Sequence, residues 1–219
     1  MAKIYPSLIA ANPLYLHQTI KTLEPYCAGF HCDIMDNHFV SNLTFGFDIV
    51  QAIDAATFTQ TWVHLMVDNP ADWCKRLILK PHSIVSFHFE STNEPDKVIK
   101  CIKEKKWLPS IAINPKTDEG EIFHLLDTIS QILIMSVNPG FSGQPFLDTV
   151  LKKIPSLIYE RKKRNLTFSI GIDGGINAKN IISIAQQGAQ DLAIASAIFN
   201  TPDPLRALQS LSQQIECIK

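Results

Sequence analysis

Eight short apolar runs recur along this chain, and most of them end in a residue fit for chemistry. They end near Ala10 and Asn12, at His31, Asp33 and Asp36, at His64, at His88 and Glu90, at Asn114, at Asn138, at Asp173 and at Ser196. Each gap between runs is long enough for one helix. Strand and helix alternating eight times predicts an α/β fold, the (β/α)8 TIM barrel. Such barrels build their active sites at the C-terminal ends of the strands. The polar residues above stand at those ends, so the pattern predicts an enzyme and the location of its site.

Composition agrees with that expectation. A chain of 219 residues, 46% of them hydrophobic, suits one barrel domain spanning 1–219 with a sizeable core. The net charge is -1, with acids and bases mixed. The basic cluster at 161–164 falls late in a predicted helix, where cations suit the macrodipole. No basic footprint for nucleic acid is present in the sequence. Five scattered cysteines without a CxxC pair read as reduced thiols in a cytoplasmic protein. The N-terminus runs straight into a strand without a signal-peptide core, and no apolar run reaches membrane-spanning length.

The expected strands are 4–10, 29–36, 61–67, 83–89, 109–113, 131–137, 167–172 and 190–195. Asn12-Pro13 and Asn69-Pro70 open helices by capping and proline rules. Another helix is expected from about Asp118, and the last from near Pro202. Two connections are long, 37–47 and 138–146, and long loops in a compact barrel are often functional. The second reads Asn-Pro-Gly-Phe-Ser-Gly-Gln-Pro-Phe, a composition suited to a mobile lid around Phe141 as well as to an ordinary loop.

Within the second run, His31, Asp33 and Met35 alternate, and a period of two puts them on one face. A barrel interior is normally filled by branched aliphatics, and an unpaired buried charge is costly. His64 and Asp173 complete a set of two imidazoles and two carboxylates. Singly, each has a plainer role as a core histidine or a helix cap. Together, on matching strand ends, they suit one divalent ion such as Zn, Fe(II), Mn or Co. Met35, Met66 and Met135 end three strands and suggest a soft lining above that ion.

The segments Pro-Ser-Leu-Ile from Pro6, His-Cys-Asp-Ile-Met-Asp-Asn-His-Phe-Val from His31 and His-Leu-Met from His64 resemble the ribulose-phosphate 3-epimerases. Phe-His-Phe-Glu from Phe87, Ala-Ile-Asn-Pro-Lys-Thr from Ala112 and Met-Ser-Val-Asn-Pro-Gly-Phe-Ser-Gly-Gln-Pro-Phe from Met135 continue the resemblance. Ile-Asp-Gly-Gly-Ile-Asn from Ile172 and Ala-Ser-Ala-Ile-Phe from Ala195 complete it over essentially the whole chain. The resemblance implies a ribulose-phosphate-binding barrel of the pentose phosphate pathway. It would interconvert D-ribulose 5-phosphate and D-xylulose 5-phosphate. It implies His31, Asp33, His64 and Asp173 as metal ligands, with Asp33 and Asp173 also the two acid/base groups. Inversion next to a carbonyl needs one such group on each face of a planar cis-enediolate. Ser7 and His64 would touch the sugar. Gly174, Gly175, Ala195 and Ser196 would bind the phosphate through backbone N–H groups, with Gly140 and Gly143 of the lid closing over it. The family forms dimers or hexamers, which implies a homo-oligomer.

Some residues depart from the family. Asn37 stands for Gly, Ser41 for Pro, Ser142 for Gly, and Asn12-Pro13 for Asp-Phe. Ala195 stands for the Gly of a Gly-Ser pair. If that position needs positive φ, Ala is strained there; if it only donates an N–H, Ala serves. Three other functions compete. Epimerisation of D-allulose 6-phosphate would use the same four residues. A barrel decarboxylase or Schiff-base aldolase needs a Lys at a strand end, and no expected strand has one. A silent phosphosugar-binding protein would not need both carboxylates.

Overall fold

The computed structural model describes residues 2–217. Its eight strands are β1 (Lys3–Pro6), β2 (Gly29–Met35), β3 (Gln60–Met66), β4 (Ile84–His88), β5 (Leu108–Ile113), β6 (Gln131–Met135), β7 (Ser169–Asp173) and β8 (Asp191–Ile194). The strands pair in parallel throughout, in the order β1-β8-β7-β6-β5-β4-β3-β2. A parallel bridge between Ser7 and His31 joins the two ends of that series and brings the sheet round into a barrel.

Helices α1 (Leu16–Leu23), α2 (Phe47–Ala56), α3 (Pro70–Arg76), α4 (Pro95–Glu104), α5 (Lys153–Lys163), α6 (Ile181–Gln186), α7 (Ser196–Phe199) and α8 (Pro204–Glu216) fill the connections. Their sequences explain their limits and faces. Helix α8 starts at Pro204, which needs no N–H partner there, and Asp203 accepts the Arg206 N–H at 3.0 Å. Leu208, Leu211 and Ile215 recur at helical spacing, and all three are buried. Among the described residues, no helix is long and apolar enough to cross a membrane.

Several expected boundaries move, and three of them are instructive. The first run is not one strand through Ala10. It leaves the sheet after Pro6, and Leu8–Ala10 form a 3-10 turn closed by Ala11 N–H on the Leu8 carbonyl. The turn buries Leu8 as well as a strand would, so apolar content alone could not tell the two apart. The helix expected from Asp118 is a 3-10 stretch, Glu119–Leu125. Asp118 does cap it, accepting the Gly120 N–H at 2.7 Å. The last helix begins at Pro204 rather than near Pro202.

Two cores result. Outside the sheet, Cys32, Ile34, Val63, Leu65, Ile170 and Ile172 belong to the apolar layer shared with helices. Inside it, Tyr5, Trp62, Ala112, Leu133, Met135 and Ala193 form a separate cluster. The lower interior is partly polar, and its groups are paired. The Trp62 indole donates to Ser86 Oγ at 2.7 Å, Ser110 donates to Gln131 Oε1 at 2.8 Å, and Gln131 donates to Asp191 Oδ2 at 2.8 Å. Trp62 packs edge-on beneath the His31 ring, with centroids 4.6 Å apart. The lack of a side chain at Gly171 makes room for it, because a Cβ there would lie 2.9 Å from Trp62 Cη2. Gly171→Ala therefore overpacks this layer and is expected to cost about 1–3 kcal/mol. Urea unfolding checks this, and an unchanged midpoint would contradict the packing described.

Candidate metal centre and active-site cavity

Parallel register assembles the polar cluster. Asp33 of β2 lies opposite His64 of β3, His31 lies opposite Trp62, and Met35 lies opposite Met66. On the far wall, Met135 of β6 lies opposite Asp173 of β7. The sequence places Asp173 just after its strand, whereas it is the strand's last residue. His31 Nε2 lies 3.1 Å from Asp33 Oδ1 and 3.7 Å from Asp173 Oδ2. His64 Nδ1 lies 3.3 Å and 3.6 Å from the same two oxygens. The four ligand atoms all fall within 4.8 Å of one another.

The donor set fits a divalent ion. Two carboxylates facing two neutral imidazoles in a buried place carry two uncompensated negative charges, which a divalent cation balances. Without an ion, a proton does part of that work. Burial pulls the His64 imidazole down, but hydrogen bonds to Asp173 and Asp33 outweigh it and raise its pKa from 6.5 to about 9. Burial likewise pushes the Asp33 carboxyl up. Attraction to His31 and hydrogen bonds from His31 and His64 win, and hold it far below the usual carboxylate range.

Several neighbours hold this cluster in place. Ser7 Oγ donates to Asp33 Oδ2 at 2.7 Å. Thr44, from the loop after β2, donates to the Asp33 carbonyl at 2.5 Å and accepts the Met35 N–H at 2.9 Å. Ser136 donates to the carbonyls of Asp173 and Gly174 at 2.8 and 2.6 Å. Sequence reasoning missed Thr44 and Ser136. Each is an ordinary Ser or Thr near a strand end until the fold places a carbonyl beside it. Behind the cluster, His64 Nε2 lies 3.0 Å from His88 Nε2, and His88 Nδ1 lies 3.2 Å from Glu90 Oε2.

A small, partly open cavity lies above the cluster. Ser7, Asp33, Asp173, Met35, Met66, Met135, Gly140, Gly143, Gly174, Gly175, Ala195 and Ser196 all line it. His31 and His64 do not line it; they are fully buried, and their ring nitrogens join Asp33 and Asp173 in the cluster. No Lys or Arg lines the cavity among the described residues. Gly175 needs to be glycine. Its φ is +64°, and a Cβ would lie 2.6 Å from the Phe146 nitrogen. Ala195 has φ of −102°, so the residue there needs no glycine freedom. Asn37 has φ of +60°, a conformation Asn tolerates better than most residues.

The two long loops meet over this cavity. Asn42 Nδ2 donates to the Gly140 carbonyl at 2.7 Å. Gln144 Nε2 donates to the carbonyls of Asn138 and Phe141 at 2.7 and 2.9 Å, which braces the second loop from within.

Two of the buried histidines, His64 and His88, give the metal-free protein an optimum of stability. The raised His64 contributes fully below its unfolded value of 6.5, and its contribution is lost as pH rises through about 9. His88 runs the other way. Burial and the nearby His64 outweigh Glu90 and lower it from 6.5 to about 4, so its contribution is present above 6.5 and lost as pH falls toward 4. Burial also pushes the Cys27 and Cys74 thiols up to about 12, which adds to the alkaline loss. The thermal midpoint of the metal-free protein is expected to peak near pH 6.5. A midpoint that climbs steadily from there to pH 9 would contradict the charge states described.

Comparison with known proteins agrees with these features. Residues 3–199 match the Ribulose-phosphate 3 epimerase family. The chain is 36% identical over 210 residues to the ribulose-phosphate 3-epimerase of Helicobacter pylori strain J99, covering 95% of this chain and 96% of that one. It is 34% identical to the Bacillus subtilis enzyme of the same name, covering 96% and 98%. Among solved structures, KGPDC from Streptococcus mutans superposes with a TM-score of 0.75 at 13% identity, covering 100% of this chain and 99% of that one, a likeness of fold. With a family match across most of its length and relatives above 30% identity over nearly all of it, the chain belongs to the ribulose-phosphate 3-epimerase family.

Proposed function

We propose that this protein is a metal-dependent epimerase that interconverts D-ribulose 5-phosphate and D-xylulose 5-phosphate, a step of the pentose phosphate pathway. The observation that carries this reading is the pair Asp33 and Asp173, both lining one cavity and backed by two imidazoles. They come from β2 and β7, strands that are not neighbours in the sheet. A flat intermediate between them would present one face to each carboxylate. One carboxylate takes the C3 proton and the other returns a proton from the opposite side. His31, Asp33, His64 and Asp173 would hold one ion, Zn, Fe(II), Mn or Co. When bound, it polarises the C2 carbonyl and stabilises the negative charge that develops on its oxygen.

The remaining residues serve that exchange. Ser7 fixes the orientation of the Asp33 carboxylate through Oδ2. Met35, Met66 and Met135, each 2% exposed, give the cavity a polarizable floor without protons to donate. They keep water from quenching the intermediate. The phosphate is held by backbone N–H groups of the Gly174-Gly175 and Ala195-Ser196 turns, with Gly140 and Gly143 of the lid over it. The chain acts as one domain, 1–219, in a homo-oligomer, a dimer or hexamer. Five free cysteines accord with a reducing, cytoplasmic setting.

Proton exchange at C3 of D-ribulose 5-phosphate in heavy water tests the chemistry. Deuterium incorporation with xylulose 5-phosphate formation is expected. Asp33→Asn and Asp173→Asn should each slow it on the order of 10²–10⁴-fold. No exchange with this sugar, but exchange with D-allulose 6-phosphate, would move the assignment to the larger substrate. Silence with both would leave a phosphosugar-binding protein. Metal loading gives a separate check. Near pH 7.5, an ion entering the cluster displaces the His64 proton, so about one proton is released per ion bound. Calorimetry in buffers of different ionisation enthalpy reads that number.

A further inference from the structure

His88 ends β4 and Glu90 lies in the 3-10 turn that follows, Phe89–Ser91, yet neither lines the cavity. His88 is fully buried. Its ring meets that of His64 edge to edge, with centroids 5.0 Å apart and planes 24° apart, and the Phe39 ring centroid lies 4.7 Å from its own. The two Nε2 atoms are 3.0 Å apart, and His88 Nδ1 is 3.2 Å from Glu90 Oε2. The other oxygen of Glu90 accepts the Asn114 N–H at 2.8 Å and the Thr117 hydroxyl. Lys153 Nζ donates to the carbonyls of Asn114 and Thr117, which fixes that loop in turn. A buried histidine and a carboxylate clamped this firmly, without contact to the cavity, need a purpose.

The direction of the protons along this line follows from what each group can do. Asn114 and Thr117 only donate to Glu90, so they set the carboxylate's orientation. A carboxylate only accepts, so the proton at His88 Nδ1 belongs to His88. Neutral His88 then offers a lone pair at Nε2. Two facing nitrogens share one proton, so it sits on His64 Nε2. That leaves the other ring nitrogen of His64, Nδ1, as the one toward Asp33 and Asp173. We propose that Glu90 and His88 are positioning residues, a carboxylate–imidazole relay that fixes the His64 tautomer so that Nδ1 presents its lone pair to the divalent ion. This rests on the metal reading above. It adds an outer shell of the kind that orients metal-bound histidines elsewhere. The reverse order, an imidazolium His88 donating to His64, would put a buried cation beside the ion's own ligand.

Wild-type protein labelled with 15N at histidine and loaded with Zn gives the direct reading. Long-range proton–nitrogen NMR should show His64 protonated at Nε2 and His88 protonated at Nδ1. A proton on His88 Nε2 would overturn the relay without any variant being made. Glu90→Gln supplies the second test. Its amide oxygen stays with the Asn114 and Thr117 donors, so its NH2 faces His88 Nδ1 and reverses each donor along the line. Co(II) affinity, measured by chelator competition, should fall about 10–100-fold, and the visible spectrum of the Co(II) protein should change. Wild-type protein that binds no Co(II) would remove the metal reading itself. Wild type and Glu90→Gln binding equally, with the same spectrum, would remove only the relay.

Discussion

Two buried carboxylates facing two imidazoles set the terms for everything around them. Asp33 is 3% exposed and sits among groups that could not hold its charge by solvation. Its charge is held by geometry, through His31, His64 and Ser7 at hydrogen-bond distance. That geometry is supplied by parallel register, which fixes Asp33 opposite His64 and Met135 opposite Asp173. A slip of one residue in β2 would turn both His31 and Asp33 into the apolar layer outside the sheet. The barrel's closure is part of the same requirement, because the Ser7–His31 bridge brings the Ser7 hydroxyl to Asp33.

The layers beneath the cluster fit this need. Trp62 fills the barrel directly below His31, in space left by Gly171. Below it the interior turns polar, but in closed pairs from Ser86 to Asp191. Trp62 and Tyr5 fill the barrel at the level below His31, and the active-site cavity lies above them. The change falls where the side chains change from the Trp62 and Tyr5 pair to the three methionines.

Much of this is legible in the sequence, for a physical reason. A period of two fixes which side chains share a face, so alternation alone assigns His31, Asp33 and Met35 to the inward side. The eight runs fix the strand ends to within a few residues. What cannot be read depends on distance in the fold. Leu8–Ala10 has the composition of a strand and the geometry of a turn. Thr44, Ser136 and Asn42 clamp carbonyl groups that lie 11, 37 and 98 residues away. Nothing in their own sequence marks them. His88 and Glu90 are visible as polar residues at a strand end. Their meaning appears only when β4 is set beside β3 and two imidazole nitrogens come within 3.0 Å.

The cavity wall carries no Lys or Arg among the described residues. An anion that enters it meets no cationic side chain, and on the reading proposed above peptide N–H groups would hold it. Peptide groups have no protonation equilibrium in water near neutrality, cannot be acetylated, and do not swing on long flexible stems. Apart from the Asp33, Asp173 and His64 cluster, the pH dependence of seating a phosphate monoester there would come from the guest, whose second ionisation lies near pH 6. Peptide dipoles act over a short reach, so the phosphate seat itself would offer salt little to screen. Recognition of this kind is decided by shape at contact, after the ligand has arrived, and not by attraction from a distance.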